Sequence, residues 1–279
     1  MSLPIEADRQ GAIPPAVKKA TFIEIFDSFK VYKLLPSSHL YISIFSVKMS
    51  QFSYPFIIKS QGILLVLCYG ILSADPPSCA ICLQPLDSVF SIDAWGNTFH
   101  TQHEDEGLFC HSCSRIISQG VTQGGYIYSD GRNLCSLCIT TAVKNDSAIQ
   151  SSYKSVVLQF EKVGITVVAE NIHITLVNIH QLNQEAGNLS HAKLKGFTQI
   201  KTVNKTDQTL YKYFISILSS LPKIEFESVL AHELLHVWLH QNKIRLSPET
   251  EEGFCNVGRY LIYQNDQTHF ATIHLQAME

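Results

Sequence analysis

The chain has 279 residues, of which 46% are hydrophobic and 16% are charged, a composition that is ordinary for a globular protein. This length suits one large domain or two modest ones. The net charge of −3 argues against the strongly basic surface of a nucleic-acid-binding protein or of a protein held on an anionic membrane. We therefore expect no nucleic-acid partner.

The N-terminal part contains one apolar segment. Residues 1–48 show no pattern that predicts a site and are left unassigned. Within 49–74, the apolar core 62–72 is too short for a stable membrane span but has the length of a signal-peptide core, with Ala74 as a cleavage position. This interpretation requires Met49 to be the true start, with 1–48 outside the native protein, and an extracytoplasmic location. The alternative is a buried apolar helix or strand in a cytoplasmic protein.

A cysteine-rich module is expected over residues 75–143, where six of the eight cysteines form three Cys-x-x-Cys pairs. Such pairs are more typical of structural zinc sites than of disulfides or redox thiols. The first set of four ligands is Cys79, Cys82, His100 and His103. The second set is Cys110, Cys113, Cys135 and Cys138. A module this small has little core, so we expect two structural zinc ions to be needed for its folding.

Hairpin signals at Gly96-Asn97 and Asp130-Gly131 lie between the ligand pairs, as zinc knuckles on short hairpins require. Two such sites in tandem resemble a LIM domain, and the resemblance implies a module that docks partners or substrates or restrains a neighbouring cleft. LIM domains usually have cysteine where His103 stands, and a shorter spacer follows. The alternative ligands for that position are Glu104, Asp105 and His111.

Residues 144–279 have the pattern of a compact α+β domain. In chain order we expect a helix over 151–162, strands over 165–168, 172–177 and 211–218, a helix from about Pro222 through the histidine motif, and a second helix from Pro248 to about Tyr263.

The first of these late helices carries an HExxH motif formed by His232, Glu233 and His236. Residues i and i+4 share one face of a helix, so both imidazoles can reach one zinc ion. Zinc lowers the pKa of a bound water, and Glu233 would be the general base that deprotonates it. The alternative, two surface histidines, is disfavoured because apolar neighbours predict a buried helix.

A catalytic zinc site needs a third protein ligand, for which Glu249, Glu251 and Glu252 are candidates. The pattern His-Glu-Leu-x-His-x-Trp followed by Glu-Gly-Phe resembles the gluzincin metallopeptidases, whose third ligand is the glutamate before Gly-Phe. The resemblance implies Glu252 as ligand and leaves Glu251 as a helix-start acid. Asn256, one turn further, would orient a ligating histidine.

A residue that stabilises the oxyanion of the reaction is also expected. Tyr263 and Tyr260 both follow on the second helix and both remain candidates.

A more specific resemblance spans roughly residues 79–265 and is to the plant organ-size-regulating peptidases, the DA-one-like family, which join a LIM module to a gluzincin-type domain. It implies that the strand around 213–218 borders the cleft and can pair with an extended substrate. The residues that carry the resemblance are 215–222, 228–239, 246–253 and the Gly-(Leu/Phe)-Thr motif at Gly196-Phe-Thr-Gln199.

The sequence therefore predicts a zinc metallopeptidase with a zincin-like domain, one catalytic zinc, two structural zincs and a protein or peptide substrate. The alternative is a non-catalytic scaffold protein that uses all of its zinc sites for structure.

Overall fold

A computed structural model describes residues 18–21, 77–106, 108–189, 194–205 and 208–278. It has mixed α and β structure, which confirms the predicted α+β class. The segment 49–74, where a signal peptide is expected, lies outside the described residues. Across the part of the chain that is described, every helix is too short or too polar to cross a membrane.

The described residues of the N-terminal half form two small antiparallel sheets, each next to one predicted ligand set. The first contains β1 (Lys18–Thr21), β2 (Val89–Ile92) and β3 (Thr98–His100) and precedes α1 (His103–Glu106). The second contains β4 (Gly125–Ile127) and β5 (Asn133–Cys135), between α2 (Gln119–Thr122) and α3 (Ser136–Thr140). Gly96 and Gly131 adopt φ of +83° and +87° in the two hairpin turns, so both predicted turns are confirmed.

In the C-terminal half, the residues that the structure describes form five α-helices and one three-stranded sheet of order β6-β8-β7. Its elements are α4 (Asp146–Lys162), β6 (Ile172–Val177), α5 (Ile179–Ala186), a short 3-10 turn (Gly187–Leu189), β7 (Gly196–Lys205), β8 (Gln208–Leu218), α6 (Lys223–Gln241), α7 (Pro248–Gln264) and α8 (His269–Gln276). β6 runs parallel to β8, whereas β7 is antiparallel to it.

Two sequence-based expectations about strands are wrong. Residues 165–168 form no strand, and the backbone N–H and C=O of Val168 bond instead to the side chain of Gln241, at 3.0 and 2.8 Å. The strand expected to pair with substrate lies within β8, which is central and already paired to β6 and β7. Its backbone groups are therefore used inside the sheet.

Helix α6 is the centre of the C-terminal core. Its residues 225–237 are all buried, because it packs against α4, β7, β8 and α7. The contact with α7 is close: a Cβ added at Gly258 would lie 2.9 Å from the carbonyl oxygen of Ala231. Glycine at this position lets the backbones of the two helices approach each other next to the histidine motif.

The second cysteine cluster shares hydrogen bonds and core residues with the C-terminal half. The guanidinium of Arg132 pairs with Asp130 and donates to the carbonyl oxygen of Ser219 at 2.7 Å. The backbone N–H of Lys223 donates to Thr141 at the start of α6. Phe270 of α8 packs in the same buried cluster as the four cysteines. This part of the module is therefore joined directly to the helix that carries the histidine motif.

Candidate metal centres

The facing sides of α6 and α7 bring His232, His236 and Glu252 together. The Nε2 atoms of the two histidines lie 3.2 Å apart. Oε2 of Glu252 is 3.3 Å from Nε2 of His232, and Oε1 is 3.4 Å from Nε2 of His236. Two imidazole nitrogens and a carboxylate are the donor set of a catalytic zinc site with one position left for water, so these residues fit that metal.

Burial holds the pKa of His232 well below its ordinary value, and the neighbouring His236 and Arg259 lower it further. Asn256, which was expected to orient a ligating histidine, lies beside His232 and opposes this shift, as does the backbone at Cys255. The result is a neutral imidazole, which is the form that binds a metal ion.

Glu251 has a role that the sequence did not indicate. The sequence suggested only a helix-start acid, and Glu251 does lie in the first turn of α7, which Ser247 caps. Its Oε1 also lies 3.0 Å from Nδ1 of His236. A carboxylate on the outer nitrogen of a ligating histidine fixes the tautomer and orientation of the ring. Glu249, in contrast, is exposed.

Glu233 is 3% exposed and is held by strand β7. The hydroxyl of Thr198 donates to Oε2 of Glu233 at 2.7 Å. A Cβ added at Gly196 would lie 2.5 Å from Oε1 of the same carboxylate. The sequence singled out Gly196 and Thr198 as a motif, but their contact with Glu233 depends on how β7 packs against α6.

The two tyrosine candidates lie further along α7. Tyr263 is buried, accepts a hydrogen bond from Ser228 Oγ at 2.8 Å and stacks on His274 with ring centroids 5.0 Å apart. Burial raises the pKa of its hydroxyl. Tyr260 is 40% exposed. The Tyr263 hydroxyl is thus engaged with α6 one helical turn before His232.

The first cysteine cluster contains Cys79, Cys82, His100 and His103, with ligand atoms within 4.8 Å of one another. Nε2 of His100 lies 2.9 Å from the carbonyl oxygen of Pro85, which leaves Nδ1 facing Cys82 Sγ at 3.4 Å. Burial raises the pKa of the Cys79 thiol, but backbone hydrogen bonds at Cys82, His100 and Ile81 outweigh it and lower that pKa to about 7. A thiol that ionises readily is a good zinc ligand.

The sequence left Glu104, Asp105 and His111 as alternative ligands for the His103 position. The hydroxyl of Ser91 donates to the Glu104 carboxylate. The Asp105 carboxylate and the His111 imidazole are not in the group of ligand atoms around Cys79. His103 is the residue that the structure groups with Cys79, Cys82 and His100.

The second cysteine cluster contains only thiols, and all four cysteines are buried. Sγ of Cys113 and Sγ of Cys135 lie 3.8 Å apart, which is too far for a disulfide bond of about 2.05 Å. The backbone N–H of Cys135 donates to Cys110 Sγ at 3.4 Å. Four buried thiols without an open position suit a structural zinc ion.

Comparisons with known proteins show which family the chain resembles. The family model "DA1-like: Protein DA1" matches residues 152–277. Protein DA1-related 2 of Arabidopsis thaliana is 26% identical over 237 residues, which cover 72% of this chain and 44% of that protein. LIM domain-containing protein HDR3 of Oryza sativa subsp. japonica is 26% identical over 237 residues, covering 72% and 46%. Protein DA1 of Arabidopsis thaliana is 27% identical over 194 residues, covering 58% and 36%.

The chain spans about half the length of the curated relatives it matches. No solved structure matches it. The resemblance expected from the sequence is confirmed by the family model, which matches residues 152–277, and by these relatives.

Proposed function

We propose that this chain is a zinc-dependent metallopeptidase with a zincin-like active site between α6 and α7. The observation that carries the proposal is the convergence of His232, His236 and Glu252, with pairwise atom distances of 3.2 to 3.4 Å, beside the buried Glu233. All four residues lie inside the matched DA1-like domain.

These three ligands would hold a zinc ion, which would supply Lewis acidity and make a water at the site easier to deprotonate. Glu233 follows His232 directly in the chain and accepts the proton of the attacking water on its carboxylate. It then returns that proton to the leaving amide nitrogen. Glu251 keeps His236 in the tautomer whose Nε2 faces the other ligands.

Strand β7 is the part of the sheet best placed to bind the substrate. It lies at one edge of the sheet, where its outer side pairs with none of the described strands. It also contains Gly196 and Thr198, which contact Glu233. An extended peptide added along this edge would run close to the general base. This assigns substrate pairing to β7 instead of the strand at 213–218.

The cysteine clusters would each hold a structural zinc, and the LIM-like module would dock a protein partner or substrate. Tyr126 and Ile127 on β4 are 60% and 61% exposed, which is unusual for large apolar side chains in adjacent positions. The same surface also supports the alternative that the protein is a non-catalytic scaffold.

The test is cleavage of an unfolded protein such as casein by the purified full chain. Wild type should generate fragments, whereas Glu233→Gln should generate none while retaining its zinc. Glu249→Gln, which changes an exposed acid on the same helix as Glu252, should cleave like wild type. If wild type and Glu233→Gln both bind zinc and neither cleaves, the scaffold alternative gains support.

A further inference from the structure

The carboxylate of Glu233 is held by two residues on one strand. The Thr198 hydroxyl is 2.7 Å from Oε2 and 3.4 Å from the Glu233 backbone carbonyl oxygen. A hydroxyl has one proton to donate, and the shorter contact to a charged acceptor is the stronger hydrogen bond. Both residues are buried, so water competes little for this bond.

Gly196 lies on the same face of β7, two residues before Thr198. A Cβ at this position would approach Oε1 of Glu233 to 2.5 Å and Cγ1 of Val229 to 2.6 Å. Side-chain carbon atoms do not approach other atoms this closely, so any larger residue at 196 would displace the carboxylate. Glycine is therefore required by the position of Glu233.

We infer that Gly196 and Thr198 hold the carboxylate of Glu233 in one position, so that β7 positions the proton-accepting group. The inference rests on the proposed peptidase function. The two residues act through Glu233 and are positioning residues. Because β7 is also an edge strand of the described sheet, one strand would set the register of the peptide backbone and the position of the base together.

The test compares the full-length chain as wild type, Thr198→Val, Thr198→Ser and Gly196→Ala, with casein as substrate and zinc content measured on each sample. Thr198→Val and Gly196→Ala should lower kcat by about 10- to 100-fold with KM and zinc content unchanged, because a misplaced catalytic group costs rate and not binding. Thr198→Ser keeps the hydroxyl and should stay within about threefold of wild type. Thr175→Val, on β6 of the same sheet, controls for valine in a strand and should keep the wild-type kcat.

A second measurement does not depend on activity. The unfolding equilibria of wild type, Thr198→Val, Glu233→Leu, which removes the acceptor oxygens, and the double variant form a double-mutant cycle. A direct hydrogen bond to the carboxylate predicts non-additive effects of about fivefold or more in the unfolding equilibrium constant.

The inference would be overturned if Thr198→Val kept the wild-type kcat. It would also be overturned if Thr198→Ser and Thr198→Val lowered kcat equally, or if the double-mutant cycle were additive. If wild type holds zinc and cleaves nothing, the proposed function fails. In that case the cycle alone decides whether Thr198 fixes Glu233.

Discussion

Oε1 of Glu251 lies 3.0 Å from Nδ1 of His236, while Nε2 of the same ring faces His232 and Glu252. Two consecutive glutamates of α7 therefore contact the histidine motif in different ways. Glu252 lies among the candidate ligand atoms, and Glu251 bonds to the outer nitrogen of one ligand.

This relationship predicts that Glu251→Ala weakens zinc binding at the α6–α7 site by about 10- to 100-fold, because the imidazole of His236 loses the group that orients it. Competition with a chelator of known affinity measures the effect. Glu249→Ala removes an exposed acid two residues earlier and should leave the affinity unchanged. Equal affinities in the two variants would show that the Glu251 contact does not support the ligand.

Gly253 and Gly258, the two glycines of α7, test how closely α6 and α7 pack together. Gly258→Ala should destabilise the protein by about 1–3 kcal/mol, because its Cβ would lie 2.9 Å from the Ala231 carbonyl oxygen and push α6 and α7 apart. Gly253 has no atom within 4 Å of an added Cβ, so Gly253→Ala should stabilise the helix by up to about 1 kcal/mol. Urea unfolding measures both, and similar values for the two would contradict the close helix contact.

Arg132 tests the link between the second cysteine cluster and the C-terminal core. Its side chain and that of Asp130 are 2% and 4% exposed, so Arg132→Ala leaves a buried carboxylate without its charged partner. We expect a loss of about 3 kcal/mol in the free energy of unfolding. Arg245→Ala, which changes an exposed arginine, should stay within about 0.5 kcal/mol of wild type. Equal stabilities would mean that the module and the core are not coupled through this contact.

The buried side chain of His274 should make the free energy of unfolding fall at acid pH. Burial lowers its pKa from 6.5 to about 4, so the unfolded chain binds a proton that the folded protein excludes. The associated stability is present above pH 6.5 and is lost as the pH falls towards 4. Between pH 7 and pH 5, wild type should lose about 2 kcal/mol more than His274→Phe, which keeps an aromatic ring against Tyr263.

Chemical denaturation of both proteins at the two pH values measures this difference. Acid release of zinc affects wild type and His274→Phe alike and cancels in the comparison. Parallel pH profiles would mean that His274 is not the responsible group.

The sequence was most informative where the required residues are close along the chain. The i, i+4 spacing of His232 and His236 and the Cys-x-x-Cys pairs are local patterns, and the structure places these residues together. Helix α7 likewise begins at Pro248 and extends one residue past Tyr263, as its capping pattern indicates.

Contacts between distant elements could not be predicted in this way. Thr198 and Glu233 are 35 residues apart, and their bond depends on how β7 packs against α6. The central place of β8 follows from pairing with β6 and β7, which the pattern of a single strand does not reveal. The role of Glu251 depends on the rotation of α7 about its axis, because adjacent helix residues point about 100° apart.

Metal content tests the central claim most directly. The purified full chain should contain about three zinc ions, and His236→Ala should contain about two, because the substitution removes a ligand of the α6–α7 site and spares both cysteine clusters. About two zinc ions in both proteins would mean that His232, His236 and Glu252 do not hold a metal, and the metallopeptidase proposal would be wrong.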